Sequence, residues 1–275
     1  LVISAAKITL FAIFDSMITS NPKKTLLFLI AFIGCLNSNY VKATTNEGKL
    51  STVKFSVDST QQIAALKFNA YAESVYEDLR DTSLSYTAFM QGLKGYYNLS
   101  SEGKIKRKNT LTIIDFSKPS SQDRLFIIDL CNRKILHKSI VSHGVNTGRL
   151  YAQNFSNKPN SHKSSIGFYS TSTTYHGKYD LALRLDGLEY TNNKARSRGV
   201  VMHAAKYATY EFLEKNGGML GRSYGCPALP FNHFEKVVEW IKEGTCLFIY
   251  YPSLSYQKNS VYLNQNQYLQ EFLYL

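Results

Sequence analysis

Apolar residues recur at helical spacing near the start of the main body of the chain. Ile63, Leu66 and Ala70, then Tyr71, Val75 and Leu79, follow Ser59-Thr60-Gln61-Gln62, which has the form of a capping box. Phe89, Leu93 and Tyr97, at four-residue intervals, predict a second helix. The pattern changes at KIKRKNTLTIIDFSKPS (104–120). Beyond it lie TLTIIDF (110–116), RLFIIDL (124–130), KILHKSIVSHG (134–144), SSIGFYST (164–171), DLALRLDG (180–187), RGVVMHAA (198–205) and TCLFIYY (245–251), each bounded by polar turns. Short strands at this spacing without helices between them predict a sandwich or barrel rather than βαβ units. One late helix is expected, with Phe234, Val237, Val238 and Ile241 on its apolar face and Gly244 as its stop. The tail, 253–275, is rich in Asn, Gln, Tyr and Leu and has no clear period, and no internal repeat is evident.

Composition supports a globular, mainly β protein: hydrophobic residues make up 44%, and the 20 tyrosines and 16 phenylalanines favour strands. The segment NPKKTLLFLIAFIGCLNSNYVKA (21–43) reads as a secretory signal. Lys23 and Lys24 precede an apolar run from Leu26 to Gly34, and Ala43 is the expected cleavage point. Met17 is then the expected start, with residues 1–16 upstream of it. A rival reading takes FIGC (32–35) as a lipobox, making Cys35 a lipidated anchor. Residues 44–58 form a lead-in, 59–252 the main domain with a helical part at 59–98, and 253–275 the tail. The formal net charge of +12 suits an anionic partner, for which nucleic acid, anionic lipid and cell-wall polymer all qualify.

Removing the signal leaves Cys131, Cys226 and Cys246, an odd number for an exported chain, so at least one thiol is unpaired. Cys131 and Cys246 sit in strand-like surroundings, as buried residues or as each other's partner. Cys226 lies instead in GRSYGCPALP (221–230), among glycine, serine and proline. A thiol attacks as the thiolate and needs a base or a positive field beside it. His203, in RGVVMHAA, stands at an expected strand end, and the 22 residues before Cys226 allow a loop to return beside it. Gly217, Gly218, Gly221 and Gly225 permit close approach of backbone to substrate. The amides of Tyr224, Gly225 and Cys226 are candidates for an oxyanion pocket. On spacing alone, a purely structural histidine fits His203 as well.

LTIIDFSKPSSQDRLFIIDL, VSHGVNTG, FSNKPNSHKSSIGFYST, LRLDGLEY, VVMHAA and GRSYGCPALP together carry a resemblance covering roughly residues 60–252. The sequence resembles the L,D-transpeptidases of bacterial cell-wall metabolism, the YkuD-like catalytic domain, and within them the murein L,D-transpeptidase branch. The resemblance implies a mainly β sandwich with the site on a loop and neighbouring strands. It implies Cys226 as nucleophile, His203 as base and Ser223 as a residue that bonds the loop or steadies the imidazole, with the Ala204 carbonyl as candidate orienting partner. The wider family has Ser/Thr-His-Gly-Cys where this chain has Ser223-Tyr224-Gly225-Cys226, so the second histidine is replaced by Tyr224. In VSHG (141–144) Val145 follows where a cysteine would be required, so His143 is at most a residue lining the cleft.

The implied reaction is acyl transfer on peptidoglycan stem peptides. Cys226 forms a thioester with loss of D-alanine, and an amine or water resolves it. Arg222 is the candidate for binding a substrate carboxylate, with Arg184 and Lys206 behind it. Enzymes of this kind are acylated by carbapenems. No cofactor, metal or nucleic acid is implied, and contact with a membrane only through an anchor at Cys35. The expected location is the periplasm or cell envelope. An inactive murein-binding protein of the same fold is the alternative. A papain-like protease is disfavoured because the histidine precedes the cysteine, and a His-Glu-x-x-His metal enzyme because that motif is absent.

Overall fold

The computed structural model describes residues 40–44, 50–54, 57–177 and 180–274. Met17, Cys35 and most of the expected export segment lie outside the described residues. The chain divides into two units, one ending at Ala64 and the other beginning at Ala65. In the first, β1 (Tyr40–Thr44) pairs antiparallel with β2 (Leu50–Lys54), and Ala43 lies within β1 opposite Ser51.

Helix α1 (Val57–Leu79) runs through the expected capping box, which occupies its first turn. Its buried face matches the predicted spacing at Val75 and Leu79 but not in the first half of the helix. Phe68, Ala72, Val75 and Leu79 are buried, whereas Ile63 and Leu66 are 47% and 68% exposed. Two apolar series share this helix, and the series carrying Phe68 is the one turned inward. The Phe68 ring meets Tyr268 at 4.6 Å, Phe272 at 5.2 Å and Tyr97 at 6.3 Å, edge to face. Helix α2 (Tyr86–Ser101) begins at Ser85, whose side chain accepts from the Ala88 amide. Gly92 and Gly95 let it press against the sheet. A Cβ on Gly95 would sit 1.9 Å from Phe168 Cζ, and one on Gly92 3.1 Å from Ile113 Cδ1.

The second unit is built on one eight-stranded sheet in the order β5-β4-β3-β10-β6-β7-β8-β9. The strands are β3 (Thr110–Asp115), β4 (Leu125–Asp129), β5 (Lys134–Ser139), β6 (Gly167–Gly177), β7 (Asp180–Gly187), β8 (Val201–Ala204), β9 (Ala228–Leu229) and β10 (Cys246–Tyr250). A bridge between Ser142, just past β5, and Ala228 in β9 links the two ends of the sheet, so the layers of this mainly β fold form a near-closed barrel. Two pairs are parallel, β3 with β10 and β8 with β9. The β8–β9 connection carries a crossover helix that the sequence pattern did not predict, α3 (Tyr210–Lys215), capped by Thr209. None of its residues is buried, so it has no apolar face to read. The late helix, α4 (Phe234–Ile241), buries the four residues expected of it.

The tail folds as α5 (Leu254–Asn259), α6 (Val261–Asn264) and a 3-10 turn (Gln267–Phe272). Polar side chains hold it. Asn98 of α2 donates to the carbonyls of Tyr262 and Gln265 and accepts from the Tyr268 amide at 2.8 Å. Glu189, buried after β7, accepts from the Phe168 amide, the Tyr256 hydroxyl and the Ser260 hydroxyl, and burial raises its carboxyl pKa. Among the described residues no helix is long and apolar enough to cross a membrane.

Candidate active site

β8 and β9 are short, parallel and adjacent, so the strand of His203 runs beside the segment that follows Cys226. His203 pairs with Ala228, two residues past Cys226. The amide of Val201, two residues before His203 on the same strand, donates to the Cys226 sulfur at 3.5 Å, and the thiol donates to the Gly199 carbonyl at 3.7 Å. The sulfur therefore lies over the start of the strand whose third residue is His203.

Nδ1 of His203 lies 2.9 Å from the Ala204 carbonyl oxygen. A carbonyl only accepts, so Nδ1 carries the proton and Nε2 the lone pair of the neutral ring. Burial lowers the His203 pKa below 6.5. Burial also raises the Cys226 thiol, opposed by the Val201 amide and the Arg198 charge. Burial thus favours the uncharged form of both groups, a thiol and a neutral imidazole. Cys131 is exposed, Cys226 half-buried and Cys246 buried, and all three are free thiols, so the expected alternative of a Cys131–Cys246 bridge does not form.

The loop that carries Cys226 is held from three sides. Ser223 Oγ donates to the Cys226 carbonyl at 2.7 Å and accepts from the Gly225 amide at 3.0 Å, so it bonds the loop rather than the imidazole. That commits the Gly225 amide, whereas among the described residues no acceptor meets the amides of Tyr224 and Cys226. The segment VSHG pairs with the loop through backbone, Ser223 N donating to His143 O and Val145 N to Ser223 O. From below, Ser164 Oγ donates to Gly225 O at 3.1 Å and accepts from Gly144 N at 3.0 Å. Gly225 sits at φ +123°, and a Cβ there would lie 2.8 Å from the Lys163 carbonyl.

The remaining expected residues have distinct places. Tyr224 is 72% exposed and stacks on His162, ring centroids 4.3 Å apart. Arg222 is exposed and makes one long bond, 3.4 Å, to the Gly148 carbonyl. Arg184 pairs across β7–β8 with Val201, which puts it on the same sheet face as His203, and its guanidinium stacks on Tyr175. Lys206 is exposed beyond β8. His143 is buried and does not line the cleft. Its Nδ1 lies 2.8 Å from Arg124 Nη2, a pure donor, so Nε2–H donates to Gly148 O. Burial and the Arg124 charge hold its pKa down at about 3.

Four supporting residues escaped the motif reading: Arg124, His162, Ser164 and Arg198. They lie in RLFIIDL, FSNKPNSHKSSIGFYST and RGVVMHAA, but nothing in the spacing distinguishes a loop brace from a surface polar residue. Among the described residues, no three His, Cys, Asp or Glu side chains are grouped to hold a metal ion.

The model of the L,D-transpeptidase catalytic domain matches residues 80–250, more than half of the chain. The protein belongs to the L,D-transpeptidase catalytic domain family, whose members act on peptidoglycan. No curated protein matches the chain. Among solved structures it is similar to an L,D-transpeptidase from Mycobacterium smegmatis, at 13% identity and a TM-score of 0.32, covering 52% of this chain and 59% of that one. It is also similar to the LD transpeptidase LdtMt1 in complex with imipenem (14%, 0.31, covering 52% and 59%). A third is an L,D-transpeptidase from Stackebrandtia nassauensis (11%, 0.32, covering 70% and 90%). The chain thus spans little more than half the length of the first two.

Proposed function

We propose that this protein is a peptidoglycan L,D-transpeptidase or L,D-carboxypeptidase that works through a Cys226 thioester. The observation that carries the reading is the pairing of β8 with β9, which seats the Cys226 sulfur on the Val201 amide two residues from His203. His203 Nε2 takes the thiol proton as sulfur attacks the carbonyl at the L-centre of the third stem residue. The C–N bond to D-alanine breaks, and the proton passes to the leaving amine. An incoming stem amine, a protein lysine or water then gives its proton to His203 and its lone pair to the thioester carbonyl, freeing Cys226. The unengaged amides of Cys226 and Tyr224 are the oxyanion donors in this reading, with Gly225 held back by Ser223. Arg222, with a single long bond, and Arg184, on the His203 face, are the cations available to stem carboxylates. The N-terminal basic and apolar pattern supports an export signal, and with it a site of action in the periplasm or envelope. The test is D-alanine release from disaccharide-tetrapeptide. The wild type releases it, and Cys226→Ala and His203→Ala do not. Release undiminished in Cys226→Ala would overturn the proposal.

A further inference from the structure

Arg198 lies in the turn immediately before the backbone that holds the sulfur. It donates to Ser156 O at 2.9 Å, Ser165 Oγ at 2.6 Å, Lys163 O at 2.6 Å and Ser161 Oγ at 3.3 Å. All four acceptors are neutral, and no carboxylate among the described residues pairs with it. A guanidinium stays charged in such a place. Its position is fixed against the nucleophile loop: a Cβ on Gly225 would lie 3.4 Å from Arg198 Nη2 and 2.8 Å from Lys163 O, which Arg198 itself holds. The next residue, Gly199, supplies the carbonyl that receives the Cys226 thiol, and Val201 the amide that faces the sulfur.

We infer that Arg198 is a positioning residue for the nucleophile. Its fork ties segment 156–165 beneath Gly225 and sets a charge with no carboxylate partner against the loop that carries Cys226, where it favours the thiolate over the thiol. The inference deepens the proposed function and rests on Cys226 being the nucleophile. Other charged or titratable side chains on the elements that meet there are His203, His162, Lys158, Lys163, Tyr169, Arg222 and Tyr224. Arg198 differs from them in being fixed by four bonds at the loop's underside. Arg198 and Cys226 also act on each other electrostatically, each favouring the other's charged form.

The test is the pH dependence of Cys226 alkylation by iodoacetamide, followed peptide by peptide with the full chain, so that Cys131 and Cys246 are scored separately. In Arg198→Met the Cys226 midpoint moves up by about one pH unit, making alkylation about tenfold slower at pH values below both midpoints. Arg198→Lys keeps the charge and restores most of the rate, although it melts lower for want of the four-way fork. Arg198→Gln, which keeps donors for the Lys163 and Ser156 carbonyls but drops the charge, gives the same upward shift if the Met variant does not fold. A neutral variant with the wild-type midpoint overturns the inference. That outcome is separable from failure of the proposed function, because wild-type D-alanine release is read independently of any Arg198 variant.

Discussion

The amide of Val201 donates to the sulfur of Cys226 at 3.5 Å, and Val201 and His203 share one face of a four-residue strand. His203, the proposed base, is thereby placed by backbone pairing. Because burial lowers His203 below 6.5, the ring is neutral and able to take a proton over all of the neutral range. Acylation by a β-lactam, read as a second-order rate against pH, rises on an acid limb with its midpoint below 6.5. The rate depends on the unprotonated ring, so it is lost as pH falls through that midpoint. A midpoint above 6.5 would contradict the burial argument.

The buried pair of Arg124 and His143 predicts acid lability. His143 in the folded protein binds a proton only near pH 3, whereas in the unfolded chain it does so near 6.5. The unfolded state therefore carries more protons below 6.5, and stability falls with pH there by about 1.4 kcal/mol per unit from this one group. Urea unfolding at pH 4.5 and 6.5 reads the slope. In His143→Gln the slope is shallower by roughly 1 kcal/mol per unit. Equal slopes in the two proteins would remove His143 from the explanation.

Gly95 predicts a packing failure. Its missing side chain lets α2 meet Phe168, where a Cβ would fall 1.9 Å from the ring. Gly95→Ala gains helix propensity but overpacks this contact, and the net loss in denaturant unfolding is about 1–3 kcal/mol. A stabilised variant would mean that α2 does not lie this close to the sheet.

Glu189 joins the tail to the sheet by accepting from Phe168, Tyr256 and Ser260. Glu189→Ala leaves these buried donors without an acceptor and costs on the order of 3 kcal/mol. Limited proteolysis then cuts first within 253–275. Unchanged protection of the tail would show that aromatic packing alone holds it.

Legibility followed the kind of interaction. Strands were readable because β3, β4 and β10 are buried along nearly their whole length and are rich in Ile, Leu and Phe. The late helix was readable because its four apolar residues lie on one face. The first half of α1 was misread in phase because Ile63 and Leu66 have the right spacing, and only the position of Phe272 and Tyr268, some 200 residues away, selects the Phe68 face. The tail was opaque because Asn98 and Glu189 hold it through polar bonds, which leave no hydrophobic period. Cys226, His203 and Ser223 stood out through short motifs. Arg198 and Ser164 did not, since their role depends on which backbone carbonyls the fold brings above them.

Whether Cys226 is an acyl-accepting nucleophile is read from intact-mass analysis after incubation with a carbapenem, whose strained lactam carbonyl is a ready acyl donor to sulfur. One adduct is expected on the wild type, mapped to Cys226, absent from Cys226→Ala and at least about a hundredfold slower to form in His203→Ala. A folded wild-type protein that gains no adduct, or one that gains it at Cys131, would contradict this role for Cys226.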